Sequence, residues 1–305
     1  MKLKNKLYLS ELALLSVAFI WGGGFIVVKN SLEALSPLWL MALRFILAAV
    51  FLAVIFYKKL KLIDKGSIIA GAVCGIFIYL AFVLQTVGIK YTTASKNALL
   101  TATYVVFTPF IFWFFGKKKP KATQIAAAFL CFAGIALLMF DGSFGSVNKG
   151  DLLTIMCGLV FAIHISLLGI YSKKHDPIVL TIIQMAACAV IGLAMAVAFD
   201  SPPEKINGQT WMSIVYLGVL STSFAYLVQT VAQKYTPPSH TSLIMSLECV
   251  IGSVLSIIIF KDVFTPLMWA GGALTFGSIL LSQYTNSKEE ESIKEKLVLS
   301  DLSRN

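Results

Sequence analysis

Ten times between Tyr8 and Tyr284 this chain runs through about 20 apolar residues with scarcely a charge. A bilayer core of roughly 30 Å asks for about that length of helix, and a helix bonds all of its backbone polar groups within itself. The stretches run Tyr8 to Val28, Pro37 to Tyr57, Gly66 to Gly88, Ala94 to Phe115 and Ala122 to Phe140. They continue as Asp151 to Ile170, Pro177 to Phe199, Thr210 to Ala232, Pro238 to Phe260 and Pro266 to Tyr284. Four of them open on proline, which suits a first helical position because its missing N–H costs nothing there. The expectation is an all-α integral membrane protein with ten transmembrane helices. Charged residues make up only 13% of the chain, about half the share found in soluble domains.

The formal net charge of +10 would suit nucleic acid if the cations were gathered on one face. Instead they follow the connectors. Alternate connectors and the two ends carry eighteen Lys and Arg, among them Lys58, Lys59, Lys61, Lys65 and the Lys117–Lys121 cluster. The intervening connectors carry six: Lys29, Lys90, Lys96, Lys149, Lys205 and Lys261. Cytoplasmic loops hold the excess of Lys and Arg, so both termini are expected in the cytoplasm, in the plasma membrane, with no nucleic-acid partner. The start MKLKNK resembles that of a signal peptide. The apolar run behind it is long and no small-residue cleavage pattern follows, so a retained first helix is expected. The five cysteines stand singly in apolar runs without a CxxC pair, which points to core residues and to neither disulfides nor zinc; no cofactor is expected.

The chain also repeats itself. From Gln85 it reads QTVGIKYTTASKNALL and from Gln229 it reads QTVAQKYTPPSHTSLI, with eight of sixteen positions matching in register. Each copy joins the third and fourth stretches of its half. Five crossings per half is an odd number, so the second half enters the membrane inverted. Inverted repeats are a signature of secondary transporters, whose two halves can exchange roles at the two membrane faces; a duplication kept for packing is the plainer alternative. The repeats span residues 8–140 and 151–284, and residues 285–305 form a charged segment expected to be a flexible cytoplasmic tail.

Three segments also carry a family resemblance: WGGGF at Trp21, KYTTASKNALLTATYVVFTPF from Lys90 and SLECVIGSVLSIIIFKD from Ser246. On these the chain resembles an EamA-type member of the drug/metabolite transporter superfamily in its ten-helix form, over about Glu11 to Gln283. Cys249 stands where that pattern usually has proline, Asp262 where it has glutamate, and GKKKP from Gly116 lacks the acidic residue often found there. The resemblance implies that the first, third, fourth, sixth, eighth and ninth stretches surround a substrate cavity, and that solute export is the commonest activity.

The polar residues inside the stretches give candidate sites on their own. Asn97, Thr101, Tyr104 and Thr108 recur at spacings of four, three and four, on one face of a helix. Adding 144 reaches Thr241, Met245, Glu248 and Gly252. The third stretch offers Tyr79, Phe82 and Thr86, and the eighth Ser223, Tyr226 and Thr230. Aromatic rings and hydroxyls with few charges fit a small amphipathic or zwitterionic solute, although hydroxyls also bond across helices as packing contacts. Glu248 lies about 15 Å into the ninth stretch and Arg44 about 10 Å into the second, at 1.5 Å per residue. A carboxyl at that depth can exchange a proton or touch solute; alternatively Arg44 and Glu248 form a structural ion pair. His164 can bind solute, exchange a proton or be a bonded interior residue, and Trp21 is a cavity wall or an interface anchor.

No GxxxxGK[ST] loop, HExxH helix or GxSxG elbow is present, so neither ATP hydrolysis nor intramembrane hydrolysis is indicated. The expected function is secondary transport, by alternating access, of a small metabolite or amino-acid-like solute, exported with protons as the possible coupling ion. Multidrug export by proton exchange and solute uptake are the alternatives within transport. A membrane protein that binds a ligand or partner without moving it is the alternative of another class. Lipid and solute are the expected partners, and the sequence sets no oligomeric state.

Overall fold

The computed structural model describes residues 2–115, 119–139, 148–263, 265–278 and 280–281. The ends of the fifth and tenth apolar stretches, most of the Asp141–Gly150 connector, Gly116 to Lys118 and the tail lie outside the described residues. Among the described residues every regular element is helical. The first half holds α1 (Lys2–Ser31), α2 (Pro37–Ile55), a 3-10 turn (Tyr57–Leu62), α3 (Lys65–Tyr91), α4 (Ala94–Thr101), α5 (Tyr104–Phe114) and α6 (Ala122–Met139). The second holds α7 (Lys149–Tyr171), α8 (Pro177–Phe199), α9 (Gly208–Val215), a π-helical segment (Tyr216–Phe224), α10 (Ala225–Gln233), α11 (Pro238–Met245) and α12 (Leu247–Phe260). A last helix, α13, covers 266–278.

Helix starts are set by local chemistry. Ser36 accepts from the Trp39 N–H and is followed by Pro37 at the first helical position of α2. Asp64 and Ser67 form a reciprocal capping box at α3. Asp176 accepts from the Ile178 and Val179 N–H groups at the start of α8. It also takes the Lys59 ammonium at 2.7 Å. Partial burial pushes the Asp176 carboxyl up, but these donors together hold it below the usual carboxylate range.

Among the described residues, seven segments are long and apolar enough to cross a membrane, and Ala122–Leu137 and Leu247–Phe260 are shorter apolar helices. The fourth and ninth stretches, expected as single helices, are each broken. The fourth breaks at Ala102 and Thr103, the ninth at Ser246; Ala102 and Ser246 are 144 positions apart, the spacing of the repeated sequence. Pro109 supplies a reason for the first break: it cannot donate to Val105 and its ring crowds that carbonyl. The turn upstream tightens, with Val105 N–H bonded to Ala102 O and Val106 N–H to Thr103 O. At the second break Cys249 N–H reaches Ser246 O in the same tightened way. The eighth stretch is interrupted differently, by the nine-residue π-helical segment, in which the Ser223 hydroxyl donates to Gly218 O at 2.8 Å.

Helix packing comes in matched pairs across the two halves. As α3 packs on α7, α10 packs on α1; as α3 packs on α8, the π-helical segment packs on α2; as α5 packs on α7, α12 packs on α1. Between them α2 packs on α8. Close approach at α1 and α12 depends on Gly22, where a Cβ would lie 2.6 Å from the Ile251 side chain and 3.2 Å from Glu248 O. The outside of the bundle is apolar, with Phe114, Phe129, Val190 and Met212 strongly exposed, while Arg44, His164 and Glu248 are buried. That reversal fits a chain surrounded by hydrocarbon, where the side chains facing outward need no water.

The two ends of the bundle differ. One brings Lys59 of the 3-10 turn to Asp176, so two lysine-rich connectors lie side by side. At the other, Lys96 and Asp151 form a buried ion pair at 3.4 Å, and Thr92 donates to Asp151 at 2.5 Å. There too Lys29 donates to the carbonyls of Ile89 and Thr92, and Asp262 accepts from the Ser95 and Ser256 hydroxyls.

Candidate functional site

Between the halves lies a cavity of about 590 Å³, counting the open space at its mouth. Both halves line it. Trp21 and Phe25 come from α1, Arg44 from α2, Phe82 and Gln85 from α3, and Asn97 and Tyr104 from the two pieces of the broken fourth stretch. Phe161 and His164 come from α7, Ser221 from the π-helical segment, Tyr226 and Gln229 from α10, and Met245 and Glu248 from the broken ninth stretch.

The two breaks meet at the cavity. Tyr104 begins α5 and Glu248 lies in the first turn of α12, and the Tyr104 hydroxyl donates to Glu248 Oε1 at 3.0 Å. These residues are 144 positions apart, so they occupy equivalent places in the two copies of the repeat. A carboxylate in the first turn of a helix also faces the positive end of its dipole.

Around this pair the walls are aromatic. The Trp21 ring lies 5.1 Å from Tyr226, Tyr226 lies 6.0 Å from Phe82, and Phe82 meets Phe161 edge-on at 5.6 Å. The Trp21 indole is fixed by donating to Ser221 O at 2.7 Å, a carbonyl within the π-helical segment. Such wide turns concentrate at functional sites because they free backbone groups.

His164 bonds Gln184 through Nε2 at 3.0 Å. Gln184 uses its amide N–H on Leu180 O, so its oxygen accepts from His164 and the imidazole carries its proton on Nε2. Nδ1 is then an acceptor, and it is buried without a partner among the described residues. Two more buried acceptors line the cavity unpartnered, Asn97 Oδ1 and Gln229 Oε1. The amide nitrogen of Asn97 is used, donating to Thr154 Oγ1 at 2.8 Å.

Arg44 and Glu248 do not form the ion pair that the sequence left open. Arg44 donates to Thr222 Oγ1 at 3.0 Å and to Ser221 Oγ at 3.4 Å, and its guanidinium lies 4.3 Å from the Phe82 ring centre. Among the described residues the ion pairs are Lys59–Asp176 and Lys96–Asp151.

Of the candidates that the sequence offers, Trp21, Asn97, Tyr104, His164, Tyr226 and Glu248 line the cavity. Thr101 and Tyr79 do not. The four-residue stripe assumed an unbroken helix; the break at Ala102 and Thr103 turns Thr101 aside, where it accepts from Gln85 Nε2 at 3.2 Å. Thr108 donates back to Tyr104 O. Tyr79 stands behind the wall with its ring 6.3 Å from Phe45. Gln85 and Gln229, the first letters of the repeated sequence, line the cavity as well. An amide inside an apolar stretch, kept in both copies, was the signal for them.

The EamA-like transporter family matches this chain twice, over residues 9–140 and 148–284. A protein described as an uncharacterized transporter from Archaeoglobus fulgidus is 31% identical over 277 residues, covering 91% of this chain and 86% of its own. A second, the uncharacterized transporter YyaM of Bacillus subtilis (strain 168), is 26% identical over 300 residues, covering 92% and 97%. A solved crystal structure superposes with a TM-score of 0.70 at 15% identity, over 90% of this chain and 98% of its own. At that identity the likeness is one of fold.

Proposed function

The chain belongs to the EamA-like transporter family, and from that premise we propose that it is a secondary active transporter built as two inverted five-helix repeats. The observation that carries this reading is the cavity, walled by both halves and centred on Tyr104 and Glu248, which are equivalent residues of the two copies. The repeats cover residues 8–140 and 151–284 and give ten crossings. The matched packing of α3 on α7 with α10 on α1 supports that arrangement, as does the double family match. Related halves of this kind can open in turn to opposite membrane faces about a fixed central site.

The solute is a small metabolite or amino-acid-like molecule, moved outward across the plasma membrane, and Glu248 exchanges the coupling proton. The aromatic walls of the cavity, with their scattered amides and hydroxyls, support a small, partly apolar solute. The test is flux. Cells overexpressing the protein should deplete a definable set of metabolites inside and accumulate them outside. Purified protein in vesicles should then move members of that set, faster with a pH gradient. A protein that binds such solutes saturably yet never accumulates them in vesicles is a binder, and the transport reading fails.

A further inference from the structure

We propose that Arg44 is an anion-binding residue of the cavity, and that the solute carries a carboxylate which docks on its guanidinium. The substrate class rests on the transport reading above; the site itself does not.

The chain has two arginines, Arg44 and Arg304, against 23 lysines. Lysine thus supplies the charge of the connectors, and arginine stands alone in the middle of an apolar stretch. The two differ in what they can bind: an ammonium is a point charge, whereas a guanidinium presents a planar fork that matches a carboxylate. Arg44 is 1% exposed, lines the cavity and has no carboxylate partner among the described residues. Glu248, the other charge-bearing group in the wall, is bonded to Tyr104 instead. Two of the five guanidinium N–H groups go to the Thr222 and Ser221 hydroxyls, and the other three have no partner among the described residues.

Those contacts orient the group without neutralising it. The two hydroxyls hold one edge, and Phe82 lies under one face at 4.3 Å, with Phe45 at 5.7 Å. A buried cation held in a fixed pose, with donors left over and beside a cavity, is arranged to receive an anion. Among the described residues that line the cavity, the other unpartnered buried polar atoms are of the opposite kind: His164 Nδ1, Asn97 Oδ1 and Gln229 Oε1 all accept. A solute with its carboxylate at Arg44, an apolar body against the rings and N–H or O–H donors elsewhere would satisfy both sets. A simple organic acid and a zwitterion share the carboxylate. A zwitterion's ammonium has Glu248 and these acceptors available to it.

The test compares four molecules of one shape on the purified full-length protein: L-leucine, 4-methylpentanoate and the amides of both. Binding is measured by calorimetry on wild type, R44K and R44Q. At least one acid should bind wild type tenfold or more tightly than its own amide, and that preference should vanish in R44Q. In an R304K background Arg44 is the one arginine left, so phenylglyoxal should modify it at a rate that the preferred acid slows and its amide does not. This second measurement needs no change at Arg44 and survives if R44Q fails to fold. Preference for L-leucine over 4-methylpentanoate identifies a zwitterion site, and the reverse a simple-acid site. Equal binding of acids and amides, no binding of either acid, or phenylglyoxal rates indifferent to both acids would overturn the proposal. Acids that bind through Arg44 but never cross vesicle membranes would defeat the transport reading and leave the anion site standing. Flux of neutral or cationic solutes at an unchanged rate in R44Q would do the opposite.

Discussion

Glu248 and Tyr104 are where single residues decide most. The repeat places them at equivalent positions and the fold brings them into a 3.0 Å hydrogen bond inside the cavity. A carboxyl that couples protons must release and regain one, so Glu248→Gln should abolish the response of vesicle flux to a pH gradient while solute binding persists. Because Arg44 bonds Thr222 and Ser221 and not Glu248, this change strands no buried cation. Thermal unfolding of Glu248→Gln should therefore stay within about 1 kcal/mol of wild type, not the ~3–5 kcal/mol lost when one member of a buried ion pair is removed. Gradient-driven flux at the wild-type rate in Glu248→Gln would end the coupling role. Tyr104→Phe removes one hydrogen bond and should cost about 0.5–1.5 kcal/mol. Glu248, His164 and Asn97 stand out in the sequence because an ionisable or amide group inside an apolar stretch is costly, and all three line the cavity. Thr101 and Tyr79 fall outside the lining, and hydroxyl-bearing side chains also serve packing: Thr101 accepts from Gln85, and the Tyr79 ring packs against Phe45.

Elements were legible in their existence and less so in their continuity. Ten apolar runs announce themselves by length, and proline or a polar cap marks where several begin. The breaks at Ala102–Thr103 and at Ser246 fall inside long apolar runs and carry no glycine or proline at the break itself. Pro109 hints at the first, but its effect appears upstream, in the turn that tightens to spare the crowded Val105 carbonyl. The π-helical segment at Tyr216–Phe224 likewise carries no proline or charge to announce it, and the contact it makes with Trp21, which donates to Ser221 O, is far away in sequence. The joints between elements are also where charge is buried. Lys96 on α4 and Asp151 on α7 pair at 3.4 Å with side chains 9% and 0% exposed, and Thr92 adds a hydrogen bond to the carboxylate. Asp151→Ala should leave the Lys96 ammonium uncompensated and lower stability by about 3–5 kcal/mol. The double change Lys96→Met with Asp151→Ala should recover at least half of that loss, since no charge then remains to be desolvated. Unfolding of the single and double variants in detergent measures both, and a double variant as unstable as the single would show that the pair is not the cause.

At the scale of the whole molecule the open quantity is which end of the bundle faces the cytoplasm, and the lysines answer it by their distribution. Eighteen basic residues belong to the ends and alternate connectors and six to the others; excess Lys and Arg stays on the cytoplasmic side because carrying it across the membrane is disfavoured. The fold is consistent with that alternation. Lys59 reaches Asp176 across two lysine-rich connectors, while Lys29, Lys96, Asp151 and Asp262 gather at the other end with few lysines around them. The first of these ends should therefore be cytoplasmic, with both termini, and the second should face outward. The five native cysteines are free and buried, so they offer little background to a membrane-impermeant thiol reagent. Ser201 and Lys119 are both exposed, on connectors of opposite assignment. In intact cells Ser201→Cys should be labelled and Lys119→Cys spared, and permeabilising the cells should bring Lys119→Cys up to the same level. Labelling of Lys119→Cys in intact cells with Ser201→Cys protected would invert the molecule. The end held by the Lys96–Asp151 pair would then be the cytoplasmic one, and the solute would leave by the other end.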